Sequence, residues 1–118
     1  MPIVDVEIVG DELPKASLSQ ELADAAGEIF GTPPGQTWVR LRMLPRDRYA
    51  ENSASQEHHP VFVTILKGQW SEHDDMKKEI TQLTEAFARI CDRSFENVHV
   101  LYLPEGSGRI AFGGDLVS

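Results

Sequence analysis

The residue with the most chemistry to offer stands second in the chain. Removal of Met1 would leave Pro2 with a free secondary amine. An N-terminal amine has a reference pKa of about 8, close to neutral pH. Burial and neighbouring cations both disfavour the protonated amine, so an apolar pocket with arginines nearby keeps it neutral. A neutral amine takes a proton from a carbon beside a carbonyl, and the resulting cation can return that proton at another atom. With Met1 in place the nitrogen belongs to an amide and cannot act as a base.

Four arginines, Arg40, Arg42, Arg46 and Arg48, fall within nine residues. Their paired N–H donors match the two oxygens of a carboxylate. If the segment is a strand, Arg40 and Arg42 share one face. It reads either as a local anion site or as a solvated basic edge. The other reactive side chains point to blander roles. His58, His59 and His73 lack a metal-ligand spacing, so no metal site is expected. Cys91 ends a helical stripe and has no evident partner, which suits a small buried residue better than a nucleophile. Gly106-Ser107-Gly108 and Gly113-Gly114 suit turns rather than nucleotide loops.

A small body must position these groups. The 118 residues, 41% of them apolar, fit one domain spanning the whole chain. At this size much apolar surface stays uncovered, so burial against sister subunits would help. The net charge of −8 argues against a nucleic-acid partner, which requires a basic face. No apolar run approaches the roughly 20 residues of a membrane span. The N-terminal segment lacks the basic and apolar regions of a signal peptide. Cys91 is the only cysteine, so no intrachain disulfide can form, and the cytoplasm is the expected compartment.

The chain divides into similar halves, about 2–44 and 60–116, joined by a polar connector over 45–59. Pro2-Ile3-Val4-Asp5-Val6-Glu7-Ile8-Val9-Gly10 overlies Pro60-Val61-Phe62-Val63-Thr64-Ile65-Leu66-Lys67-Gly68 without a gap. Each run reads as a strand ended by glycine. Ser17, with Gln20 as capping-box partner, opens a helix whose stripe is Leu18, Leu22, Ala25 and Ile29. Ser71 is the expected cap of a second helix, with the stripe Met76, Ile80, Leu83, Phe87 and Ile90. Strands follow at Trp38 to Leu44 and Val98 to Leu103. Strand, helix and strand, twice over, predict a two-layer α/β (α+β) domain. Its duplicated β-α-β units share one four-stranded mixed sheet with both helices on one face.

The start Pro2-Ile3-Val4, the duplicated unit and the ending Val98-His99-Val100 through Gly113-Gly114-Asp115-Leu116 resemble the tautomerase superfamily. The ending is similar to 4-oxalocrotonate tautomerase. The full length is more like the 5-carboxymethyl-2-hydroxymuconate isomerases, macrophage migration inhibitory factor and the malonate semialdehyde decarboxylases. The resemblance implies a homotrimer without cofactor. Pro2 would be the catalytic base, acting on a small carboxylate.

It also implies roles for particular side chains. Val39-Arg40-Leu41 resembles the strand that carries the carboxylate-binding arginine, with Arg42 on the same side. His99 takes the matching place in the second half. It would either orient a substrate oxygen or sit as a satisfied histidine near a subunit contact. Ile110 and Phe112 fall where the family has apolar pocket walls, though core or interface packing would also suit them. Lys67 stands where the decarboxylase branch has paired arginines, so it either replaces them or is a solvated lysine at a strand end. Gln36 occupies the place of that branch's water-activating carboxylate. The expected activity is therefore tautomerisation or isomerisation of a 2-oxo or 2-hydroxy-unsaturated acid. The alternatives are a decarboxylase or hydratase, and a non-catalytic trimer that binds a partner through Arg40 to Arg48.

Overall fold

β-Branched residues at alternate positions build the two central strands. In β1 (Ile3–Val9), Val4, Val6 and Ile8 are buried on one side, while Ile3, Asp5 and Glu7 lie on the other. β3 (Val61–Leu66) repeats the pattern with Val61, Val63 and Ile65. The computed structural model describes residues 1–54 and 58–118, so part of the 45–59 connector lies outside the described residues. β1 and β3 run antiparallel, with Val6 opposite Val63. β2 (Trp38–Leu44) lies parallel to β1, and β4 (Val98–Tyr102) parallel to β3, giving a four-stranded mixed sheet in the order β2-β1-β3-β4.

Both helices cover the same face. α1 (Leu18–Phe30) buries Leu18, Leu22 and Ala26, and α2 (His73–Cys91) buries Leu83, Phe87, Ile90 and Cys91. These side chains form one cluster with Val4, Val6, Ile8, Val63 and Ile65. Each large side chain removed from water there contributes about 1.5–3 kcal/mol, before the entropy cost of ordering it. The opposite face of the sheet carries Arg40, Arg42, Phe62, His99 and Leu101; neither α1 nor α2 covers it, and Tyr49 packs there against Phe62 with ring centroids 6.1 Å apart. No helix among the described residues is long and apolar enough to cross a membrane.

Both expected caps are corrected by the structure. Ser17 has φ −85° and ψ 6°, neither helical nor the extended backbone usual at a cap, and makes no capping bond; its hydroxyl donates instead to Glu21 Oε2 at 2.7 Å. Ser71 lies one residue before the α2 cap position, which Glu72 takes with an extended backbone. At the C-terminus, β5 (Ala111–Phe112) and β6 (Asp115–Leu116) form a short hairpin. Its two-residue loop, Gly113-Gly114, has φ of 58° and 93°, a combination that glycine adopts without steric cost.

Cys91 is buried, and burial pushes its thiol up to about 11. At pH 8 almost no thiolate is present, so Ellman's reagent is expected to leave the folded protein unmodified. Denaturant should release the full reaction. Rapid modification without denaturant would contradict this placement.

Candidate active site

Pro2 is buried where the chain enters β1, and its carbonyl accepts the Trp38 N–H at 3.0 Å. Alternation puts its ring on the helix-covered side with Val4. Ile3 stands opposite Leu66, so the next step of the antiparallel register sets Pro2 beside Lys67.

Lys67 is not a solvated lysine at a strand end. Its side chain is 14% exposed and reaches under the helices, where Nζ lies 3.0 Å from Glu79 Oε1 of α2. The same Nζ sits 5.1 Å from the centre of the Phe30 ring at the end of α1, within cation–π range, and donates to Ser71 Oγ at 3.4 Å. Glu79 is 10% exposed, and its second oxygen accepts the Tyr102 hydroxyl from β4. Burial, reinforced by that bond to a carboxylate, drives the Tyr102 phenol far above its ordinary pKa. The end of the sheet at Pro2 is thus lined by an almost buried ion pair with a phenol hydrogen-bonded to its acid.

The C-terminal segment closes over the same end. Gly106 N–H donates to the Lys67 carbonyl at 2.8 Å. A Cβ on Gly106 would stand 3.0 Å from Ile110 Cγ2, so Ile110 is packed tightly against this turn. The Phe112 ring meets Trp38 edge-on, with centroids 5.3 Å apart. Ile110 and Phe112 are both partly buried.

The other expected site residues are turned away from Pro2. Arg40 and Arg42 project from the open face of the sheet. Arg40 grips Asp5 with both ends of a fork, Nε to Oδ1 at 2.6 Å and Nη2 to Oδ2 at 2.8 Å. That bond and the Asp5 charge raise its pKa further, and its Nη1 donors remain uncommitted to Asp5. Arg42 Nε is 3.9 Å from Glu7 Oε2. His99 also lies on the open face, its ring centroid 5.6 Å from that of Phe62. Arg40 and His99 occupy opposite edge strands, about 14 Å apart across the sheet. A single chain therefore brings Lys67, Ile110 and Phe112 to the Pro2 end and leaves Arg40, Arg42 and His99 facing outward.

His58 and His59 line a cleft of about 780 Å³ with Val9, Asp11, Arg46 and Tyr49. It lies at the far end of β1, roughly 20 Å from Pro2. Among the described residues no group of His, Cys, Asp and Glu is arranged to hold a metal ion.

Glu79 and Tyr102 escape sequence reasoning, although a signal exists. Glu79 stands three residues after Met76 and four before Leu83, inside the apolar stripe of α2. Tyr102 shares the inward phase of Val98 and Val100, and Lys67 that of Val63 and Ile65. A lysine, an acid and a phenol each placed in the apolar phase of its own element is a sign of a buried network.

No family model and no curated protein sequence matches the chain. Solved structures do. F6 fused 4-OT, a wild-type asymmetric trimer, is 20% identical with a TM-score of 0.81, covering 97% of this chain and 94% of that one. Pt0534 inactivated by 2-oxo-3-pentynoate is 15% identical with a TM-score of 0.81, over 98% and 95% of the two chains. FG41 malonate semialdehyde decarboxylase inhibited by 3-bromopropiolate is 15% identical with a TM-score of 0.68, over 94% and 90%. These are tautomerase superfamily structures. Likeness at such low identity speaks for architecture rather than activity, and on that ground the chain has the fold of the tautomerase superfamily.

Proposed function

We propose that the protein is a cofactor-independent tautomerase that moves a proton within a small 2-oxo or 2-hydroxy-unsaturated carboxylate in the cytoplasm. Pro2 is its general acid and base once Met1 is removed. The observation that carries this reading is the placement of Pro2 at the buried start of β1, beside Lys67, in a tautomerase fold. The desolvated setting disfavours the ammonium form, and the partly buried Ile110 and Phe112 keep that end apolar. The neutral amine takes the proton from the carbon beside a 2-oxo group, or from the hydroxyl of a 2-hydroxy-unsaturated acid, and returns it to a carbon of the conjugated system.

The outward direction of Arg40, Arg42 and His99 fits an assembly in which Arg40 and Arg42 of one neighbouring copy and His99 of another complete each site. That fused 4-OT forms trimers supports a homotrimer here. Arg40, oriented by Asp5, offers its remaining Nη donors to the substrate carboxylate, and Arg42 reinforces it. His99 donates to the oxygen that becomes an enolate. Donors already aimed at that developing charge supply much of the rate gain. Gln36 carries an amide that cannot activate water as a base, which favours proton transfer over hydration or decarboxylation.

The test is an intact-mass measurement and a phenylenolpyruvate ketonisation assay on one sample. Loss of a single methionine together with turnover is the expected result. A chain lacking Met1 that does not ketonise 2-hydroxy-unsaturated acids would refute the reading.

A further inference from the structure

We infer that Lys67, Glu79 and Tyr102 together set the proton affinity of the Pro2 amine, with Lys67 and Glu79 pulling in opposite directions. This deepens the proposed function and rests on its claim that the Pro2 amine is free.

A buried ion pair is weak evidence for stability, since apolar side chains of similar volume often serve as well or better. Here three polar groups, drawn from the residue after β3, from α2 and from β4, converge on the corner that also holds Pro2. The groups facing this corner come from every surrounding element. The residue after β3 brings the Lys67 ammonium, α2 the Glu79 carboxylate, β4 the Tyr102 phenol, the following loop the Ser71 hydroxyl, and the C-terminal segment the Glu105 carboxylate, which accepts the Trp70 N–H at 2.7 Å. α1 contributes the Phe30 ring and β2 the Trp38 amide. Asp5 and Arg40 are bound to each other on the far side of the sheet.

Both charges of the pair are held in place. Lys67 is fixed by Glu79, Ser71 and the Phe30 face, and Glu79 by Lys67 and the Tyr102 hydroxyl. Neither can swing into water to screen itself, so each acts on the neighbouring amine with about one pKa unit of influence. Lys67 favours the neutral base and Glu79 favours the protonated acid. Their balance keeps Pro2 near neutrality, where one group can serve both half-reactions.

The experiment follows the Pro2 nitrogen by NMR across a pH titration of processed, 15N-proline-labelled protein. Lys67→Met is expected to raise the Pro2 pKa by about one unit, and Glu79→Gln to lower it by about as much. Lys67→Arg keeps the cation and should leave it within about 0.3 unit. Should Lys67→Met fail to fold, Tyr102→Phe takes its place. Loss of the hydroxyl that offsets the Glu79 charge should raise the Pro2 pKa by about 0.3 unit. Shifts of the same sign in Lys67→Met and Glu79→Gln, or none in any variant, would overturn the inference. A Pro2 that titrates as expected in a protein without turnover would overturn the catalytic reading and leave the inference standing. A retained Met1 would overturn both.

Discussion

Pro2→Ala is expected to lower kcat for ketonisation of phenylenolpyruvate by about 100-fold or more, the low end of what a positioned general base contributes. The variant keeps an N-terminal amine, so the loss comes from geometry and solvation rather than from removal of nitrogen. The proline ring lies in the apolar phase of β1 with Val4, and its carbonyl is tied to Trp38. An alanine amine rotates freely and is better hydrated, which raises the fraction protonated and lowers the fraction aimed at the substrate. The hydrogen bond to Trp38 uses only the backbone and survives the change, so the oligomer measured by sedimentation should be unaltered. A second readout uses 2-oxo-3-pentynoate, the compound that inactivates the structurally similar Pt0534. A neutral Pro2 amine should add across its triple bond, giving one adduct by intact mass that Pro2→Ala forms far more slowly. Wild-type turnover in Pro2→Ala would sink the mechanism.

The architecture is legible in the sequence because period-two and helical patterns are strong over both halves. Val4, Val6 and Ile8 recur as Val61, Val63 and Ile65, and Leu18 and Leu22 of the α1 stripe and Leu83, Phe87 and Ile90 of the α2 stripe fill the core, whereas Met76 and Ile80 stay outside it and Ala26 rather than Ala25 is the buried alanine. The helix starts are less legible. Ser17 has the capping type but not the extended backbone of a cap, and from its φ of −85° and ψ of 6° its hydroxyl bonds Glu21 and leaves the amides uncapped. Pro2 and Arg40 are each readable as chemical groups, but not their separation. Register sets Ile3 opposite Trp38, which places Pro2 and Arg40 on opposite faces of one sheet. The Lys67–Glu79–Tyr102 contact joins residues 12 and 23 positions apart in sequence, and only the packing of α2 across β3 and β4 makes it. Local pattern can flag such residues as misplaced polar groups, but it cannot say that they meet.

The same cluster yields the second large effect, on stability. Lys67→Met alone is expected to cost about 3 kcal/mol, because it leaves the Glu79 carboxylate nearly buried without its cation. The 14% and 10% exposures put this at the low end of the range for buried pairs, since some water reaches both groups. Glu79→Leu alone should cost a similar amount by stranding the ammonium. The double variant Lys67→Met/Glu79→Leu should recover most of the loss, with a coupling of about 2–3 kcal/mol in urea denaturation at fixed protomer concentration. Tyr102 tempers the recovery, for its hydroxyl loses its acceptor, and a triple variant carrying Tyr102→Phe should recover more. Additive costs would mean that the pair is not coupled in solution and would count against the packing at the Pro2 end. If the triple variant is as stable as the parent yet catalyses poorly, the ion pair is dispensable for folding. Its place next to Pro2 then has to be explained by chemistry.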